Sequence, residues 1–188
     1  MKSLARTLAL LAVLCLSAAA AANEALWAEL KKGGHVVLIR HTLTTAGVGD
    51  PPGMRLDDCS TQRNLSDEGR SHAQRIGAAW RTRGLSLQRV VSSPWCRCLE
   101  TARLAFGKVD DTATALSNLF GRSEKRDAQL RDLRPLVGSY RGQGNLVLVS
   151  HGSTILALTG ISPATGEMVV VAPRGGEKFE VIGRLAVD

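Results

Sequence analysis

Two histidines and two arginines in this chain have the types and spacing that handle phosphate. Arg40 and His41 directly follow the aliphatic run Val36-Val37-Leu38-Ile39, and His151 directly follows Leu146-Val147-Leu148-Val149-Ser150. Arg97 comes shortly after Ser92-Ser93-Pro94. An arginine fork matches phosphate oxygens two at a time, and amides at a helix start add donors for an anion. One imidazole can attack phosphorus and hold it covalently. A second can donate to the oxygens on which charge gathers. The set can transfer a phosphoryl group, provided that the chain brings its members together.

Alternating strands and helices would do so. Buried aliphatic runs read as strands covered on both faces, and the spacing predicts strands at Val36–Ile39, Leu87–Val91 and Asn145–Ser150. Between them lie helical patterns: Ala25–Lys32 before Gly33-Gly34, a helix capped by Ser66 with Asp67 and Glu68 in its first turn and ended by Gly84, and Gly152–Leu158. Ser92-Ser93-Pro94 predicts a serine cap and a proline in the first turn of a further helix running to Phe106. Glu124–Tyr140 predicts a surface helix interrupted near Pro135. Two closing strands, Glu167–Val171 and Lys178–Val187, are expected around a turn at Pro173–Gly176. The fold class is therefore α/β, a three-layer α/β/α arrangement with a mostly parallel sheet and no repeats. Parallel strands present like ends on one edge, and ligands sit in the crevice beyond their carboxyl ends.

The first residues read as an export signal. Lys2 and Arg6 precede an apolar run, Leu8–Leu16, and a small-residue tract, Ser17–Ala22. The run is shorter than the roughly 20 apolar residues of a membrane span. We expect a cleaved signal at 1–22, one domain at 23–188, no stable membrane span in the mature chain, and a secreted or periplasmic location. The formal charge of +7 becomes +5 without Lys2 and Arg6, which suits an anionic substrate. Aromatic residues are only 4% of the chain, too few for the interleaved stacking platforms of a nucleic-acid binder. Cys96 and Cys98 are spaced C-x-C with no second pair, so no metal site is expected. In an oxidising compartment, one of them should pair with Cys59. Residues two apart on a helix point about 200° apart, so at most one of them can reach it. Either pairing satisfies the sequence; the alternative is three reduced thiols.

Four blocks in order resemble the histidine phosphatase superfamily, the phosphoglycerate-mutase-like fold. They are Arg40-His41-Thr42; Leu65-Ser66-Asp67-Glu68-Gly69-Arg70-Ser71-His72-Ala73; Ser92-Ser93-Pro94-Trp95-Cys96-Arg97-Cys98-Leu99-Glu100-Thr101-Ala102; and Val149-Ser150-His151-Gly152. The resemblance implies a phosphatase with His41 as nucleophile, His151 as its catalytic partner, and Arg40, Arg97 and His151 binding phosphate, without a cofactor. Together with the export signal it points to small secreted members, and to a small or glycolipid phosphorylated substrate such as the heptose phosphate of a lipopolysaccharide core. Thr42 replaces the family's usual glycine. Asn118, in Leu116-Ser117-Asn118-Leu119-Phe120-Gly121, stands where a catalytic acid is expected, and no Asp follows His151-Gly152. The acid is then a loop carboxylate (Asp50, Asp57, Asp58, Glu124 or Asp127), or the leaving group hardly needs one. Thr42, Gln62 and Arg63 are candidates for the pocket wall. Glu100 is expected to steady its helix or position an arginine, and His35 and His72 to serve structural or solvent roles. The competing reading is a module of the same fold that holds phosphorylated ligands without turning them over. A serine hydrolase comes a distant third, because no G-x-S-x-G elbow is present and Ser150 and His151 are adjacent, so their side chains diverge.

Overall fold

A buried aliphatic strand, β1 (Val36–Arg40), runs through the middle of a six-stranded sheet whose order is β3-β2-β4-β1-β5-β6. The computed structural model describes residues 23–47 and 49–188; the expected export signal at 1–22 lies outside the described residues. Strands β2 (Leu87–Ser92), β3 (Asp111–Thr112) and β4 (Asn145–Ser150) run parallel to β1. An antiparallel hairpin, β5 (Met168–Gly175) and β6 (Lys178–Leu185), completes the sheet. No helix among the described residues is long and apolar enough to cross a membrane.

The strict alternation of side chains along a strand splits the core into two layers. Val37 and Ile39 face one way, with Val90, Val147 and Val149. That face is covered by the helix at residues 23–32 (α1), by α2 (Asp67–Thr82) and by α3 (Cys96–Phe106), through Leu26, Trp27, Leu30, Ile76, Trp80, Cys98 and Ala102. Val36 and Leu38 face the other way with Leu146 and Leu148, under α4 (Arg126–Gly138) and α5 (Gly152–Thr159), which contribute Leu133, Val137, Ile155 and Leu158. The three-layer α/β/α reading is observed.

α2 begins as its sequence requires. The Ser66 hydroxyl accepts from the Gly69 N–H at 3.1 Å, and Asp67 and Glu68 lie in the first turn. Gly69 is required by contact: a Cβ there would lie 1.9 Å from the Leu43 carbonyl oxygen. Gly77 has the same reason further along, where a Cβ would lie 2.1 Å from the Ala105 carbonyl oxygen of α3.

Three local expectations need correction. α3 starts at Cys96, not at Pro94, and Ser93 does not cap it. α4 is not interrupted at Pro135. That residue sits in the final turn, and the Ser139 N–H closes the helix on the Pro135 carbonyl at 3.0 Å. Pro173 lies inside β5, and the hairpin turns at Gly176-Glu177 instead. β5 pairs with β1 only through Met168–Val171, so the missing proline N–H falls beyond the reach of that neighbour.

Candidate active site

The register of the sheet brings the chemistry together. Arg40 is paired with Ser150 across β1 and β4, and Ser92 with Val149 across β2 and β4, so three strands end level with one another. The His41 N–H donates to the Ser150 carbonyl at 2.9 Å, and the Ser93 N–H to the Val149 carbonyl at 2.8 Å. Beyond these ends opens a cavity of about 530 Å³, lined by Arg40, His41, Arg63, Arg97, His151 and Asp50 among others.

His41 is buried, and its Nδ1 lies 2.9 Å from the Thr42 carbonyl oxygen. A carbonyl only accepts, so Nδ1 carries the proton and Nε2 keeps a lone pair. Burial drives the imidazole pKa down to about 3; the Thr42 bond opposes this, while the positive charges of Arg97, Arg40 and Arg63 add to it. The ring is therefore a neutral base at any ordinary pH. The His151 ring lies with its centroid 5.3 Å away, steeply inclined to the first. Its Nε2 bonds the Ser93 hydroxyl at 3.0 Å, and its Nδ1 makes a long 3.5 Å contact with the Arg97 guanidinium. Burial, then His41 and Arg97, hold His151 well below the ordinary histidine value.

Arg97 is the largest fully buried side chain, 1% exposed. Such a charge needs a partner. Asp50, from the long loop after β1, supplies it with bonds of 2.7 and 3.3 Å to the two terminal nitrogens. The guanidinium also lies 4.5 Å from the centre of the Trp95 ring, over which Arg122 stands at 5.1 Å. Arg40 donates to the Pro163 carbonyl at 2.9 Å. The Nε groups of Arg40, Arg63 and Arg97 are all buried without a hydrogen-bond partner among the described residues. Three such donors around one cavity are suited to an incoming anion.

Arg40, His41, Arg63, Arg97 and His151 thus converge, whereas Thr42 and Gln62 lie behind the cavity wall. Thr42 is fully buried. Its N–H donates to the Thr101 hydroxyl at 3.2 Å, fastening the end of β1 to α3. Gln62 turns inward: its Oε1 accepts from the Cys96 N–H at 3.0 Å, and its Nε2 donates to the Arg55 carbonyl at 2.8 Å. It serves the open N-terminus of α3, which has no cap of its own. Cys59 and Cys96 form a disulfide on the same side, and Cys98 is a free, buried thiol. Burial pushes the Cys98 thiol up to about 12, so it stays protonated 3.5 Å from His151 Nε2.

Of the loop carboxylates, Asp50 lines the cavity, whereas Asp57 pairs with Arg55 and Asp58 bonds the Ser60 N–H at 3.0 Å. Asn118 also reaches the cavity, but its Oδ1 accepts from the Ser153 hydroxyl at 2.8 Å and the Phe120 N–H at 3.1 Å. Glu100 positions Arg70, an arginine outside the site, at 2.7 Å. His35 and His72 lie away from the cavity; His72 bonds the Val187 carbonyl at 2.7 Å. Trp95 carries no chemical signal in the sequence, and only the fold shows it as the platform under two arginines.

The model of the histidine phosphatase superfamily (branch 1) matches residues 36–123, a span that holds Arg40, His41 and Arg97. Among solved structures, the chain is similar to the product of open reading frame Rv3214 from Mycobacterium tuberculosis, with a TM-score of 0.59 at 17% identity over 78% of this chain and 95% of that one. The protein histidine phosphatase SixA complexed with tungstate gives 0.58 at 14% identity, over 81% and 96%. SixA from Agrobacterium tumefaciens gives 0.54 at 23% identity, over 82% and 98%. At these identities the likeness to solved structures is one of fold. No curated protein matches the chain by sequence.

Proposed function

From the match of residues 36–123 to the histidine phosphatase superfamily, we propose that the chain is a phosphatase of that superfamily, hydrolysing phosphomonoesters through a phosphoryl group carried on Nε2 of His41. The observation that carries this reading is the state of His41: neutral, its Nδ1–H engaged by Thr42, and its free lone pair in a cavity with three guanidinium groups. In the first half-reaction the lone pair attacks phosphorus. The ester P–O bond breaks and its electron pair leaves with the oxygen. Arg40, Arg63 and Arg97 hold the non-bridging oxygens through donors that have no other partner. With the Ser93 hydroxyl donating to His151 Nε2, the neutral His151 ring keeps its proton on Nδ1 and donates a hydrogen bond from it to a phosphoryl oxygen. In the second half-reaction water attacks phosphorus, the P–N bond breaks with its pair returning to His41, and inorganic phosphate departs.

Asp50 has two parts to play. It holds the place of phosphate on Arg97, and once displaced it is the one carboxyl group lining the cavity among the described residues. Freed from Arg97, its carboxylate takes a proton from solvent and passes it to the leaving oxygen. The substrate is a small or glycolipid phosphomonoester of the cell envelope or of an exported pool, met after the export signal has been removed. Amino-terminal sequencing of chain recovered from the envelope should begin near Asn23; unprocessed chain confined to the cytoplasm would contradict that location.

His41→Ala should abolish turnover, and acid-quenched wild type should carry an acid-labile phosphoryl group on His41. A His41→Ala protein with wild-type turnover would overturn the mechanism. Wild-type protein that binds inorganic phosphate yet never turns over p-nitrophenyl phosphate would instead be the binding module.

A further inference from the structure

One side of the cavity is not polar. Phe120 and Leu156 stand there, 82% and 45% exposed, two of the four exposed large hydrophobic side chains among the described residues. A solitary exposed apolar side chain needs no explanation, but two on the wall of one cavity form a patch. The patch continues. Leu156 and Ser153 are shared with a neighbouring hollow of about 410 Å³, which goes on to Leu119, Ala157 and Gly160 and has Ser123 and Arg126 on its other side. Ser153, Leu156, Ala157 and Gly160 follow the i, i+3, i+4, i+7 spacing of one helix face. That face starts beside His151, the residue that opens α5, so an apolar track leads directly away from the phosphate cage.

Phe120 is not exposed through want of order. The Leu119 N–H donates to the Ser153 hydroxyl at 3.1 Å, and the Phe120 N–H to Asn118, which Ser153 also holds. The Ser117 carbonyl accepts from Thr154 at 2.6 Å and from Gln129 at 2.9 Å. The segment is clamped to α5 and α4 while its largest apolar side chain is left in water. Folding gains nothing from that placement, whereas a ligand covering the ring would.

We propose that Phe120 and Leu156 form the leaving-group subsite, and that the substrates are phosphomonoesters with an aromatic group close to the phosphate. This rests on the phosphatase reading and names its substrate class. An aromatic leaving group would stack against the exposed Phe120 ring. It also suits a site where Asn118, standing at the expected position of an acid, is occupied as a clamp. An aryl oxide, whose conjugate acid has a pKa of about 10 as in tyrosine, needs less protonation to leave than an alkoxide.

The test uses phosphonates, which cannot be hydrolysed. Titration calorimetry of the full mature chain with phenylphosphonate and methylphosphonate gives the aryl preference directly. We expect phenylphosphonate to bind about tenfold more tightly, and Phe120→Ala and Leu156→Ser each to reduce that ratio towards one. Equal affinities in wild type, or a wild-type ratio kept by both variants, would overturn the subsite. If neither phosphonate bound and phenyl phosphate were not turned over, the phosphatase reading itself would fall, and the subsite with it.

Discussion

Replacing Asp50 by asparagine should weaken the fold and tighten its hold on phosphate at the same time. Arg97 has a side chain 1% exposed and Asp50 one 19% exposed, so nearly all the cost of an unpaired charge falls on the arginine. Removing one partner of a buried pair costs about 3–5 kcal/mol where nothing compensates. Asparagine keeps one acceptor, and Trp95 still lies under the guanidinium. A loss of about 2 kcal/mol is therefore expected, in the range of a hydrogen bond to a charged group. For a chain of this size, that lowers the thermal midpoint by about 4–8 °C. In wild type, phosphate must displace the carboxylate before it can use Arg97, and the variant removes that competitor. If most of the 2 kcal/mol returns on binding, the phosphate dissociation constant should tighten by about tenfold or more, and saturating phosphate should close most of the gap in midpoint. Calorimetric titration with inorganic phosphate, and thermal unfolding with and without it, read both effects. An Asp50→Asn protein that bound phosphate more weakly at an unchanged midpoint would show that Asp50 supports the ligand and does not stand in for it.

Three further outcomes follow from the site. The Cys59–Cys96 bond closes a loop of 37 residues' separation, which in the chain-entropy model contributes about 4 kcal/mol; denaturant unfolding with and without reductant should show a loss of that order, and peptide mapping of non-reduced, alkylated chain should find Cys98 alone modified after unfolding, three modified cysteines refuting the bridge. His41 has its folded pKa lowered to about 3 against an ordinary value of 6.5, so between those pH values the unfolded chain binds a proton that the folded chain refuses. Stability should therefore be fully present above about pH 6.5 and fall by roughly 4–5 kcal/mol as the pH drops through that window. Urea midpoints at pH 7 and pH 4.5 measure it, and equal midpoints would refute it. Turnover at saturating substrate should show no loss of nucleophile near pH 6.5, and an acid limb at that value belonging to His41 would contradict its buried, neutral state.

How much of this was legible in the sequence depended on the range of the interaction. β1 and β4 were readable because unbroken aliphatic runs have few other uses, and the basic residues at their ends stood out against them. Parallel pairing then places Arg40, His41 and His151 on one edge whatever the loops do. The placement of Arg63 and Asp50 was not readable in that way. Both lie in the segment between β1 and α2, and where Asp50 points is decided by the buried charge of Arg97. Only the fold brings Arg97 to the loop, at a sequence separation of 47 from Asp50. Phe120 was equally silent, since an apolar residue in a loop looks like core until its exposure is known.

The misreadings at α3 and at Gln62 have a single cause. Ser93 before Pro94 has the form of a local helix cap, and locally that is the cheapest use of its hydroxyl. His151, brought alongside by the pairing of β2 with β4, has a buried Nε2 that needs a partner, and Ser93 is the hydroxyl it meets. With Ser93 taken, α3 starts two residues later at Cys96, and the first N–H of the helix is left open. Gln62 fills that place from 34 residues away, and the Cys59–Cys96 bond joins the same two segments beside it. The serine thus moved from structure to chemistry, and the glutamine from expected chemistry to structure. The exchange places the support for Arg97 on the loop that also carries Asp50 and Arg63. Loosening that loop should therefore be felt in phosphate affinity before it is felt in the core.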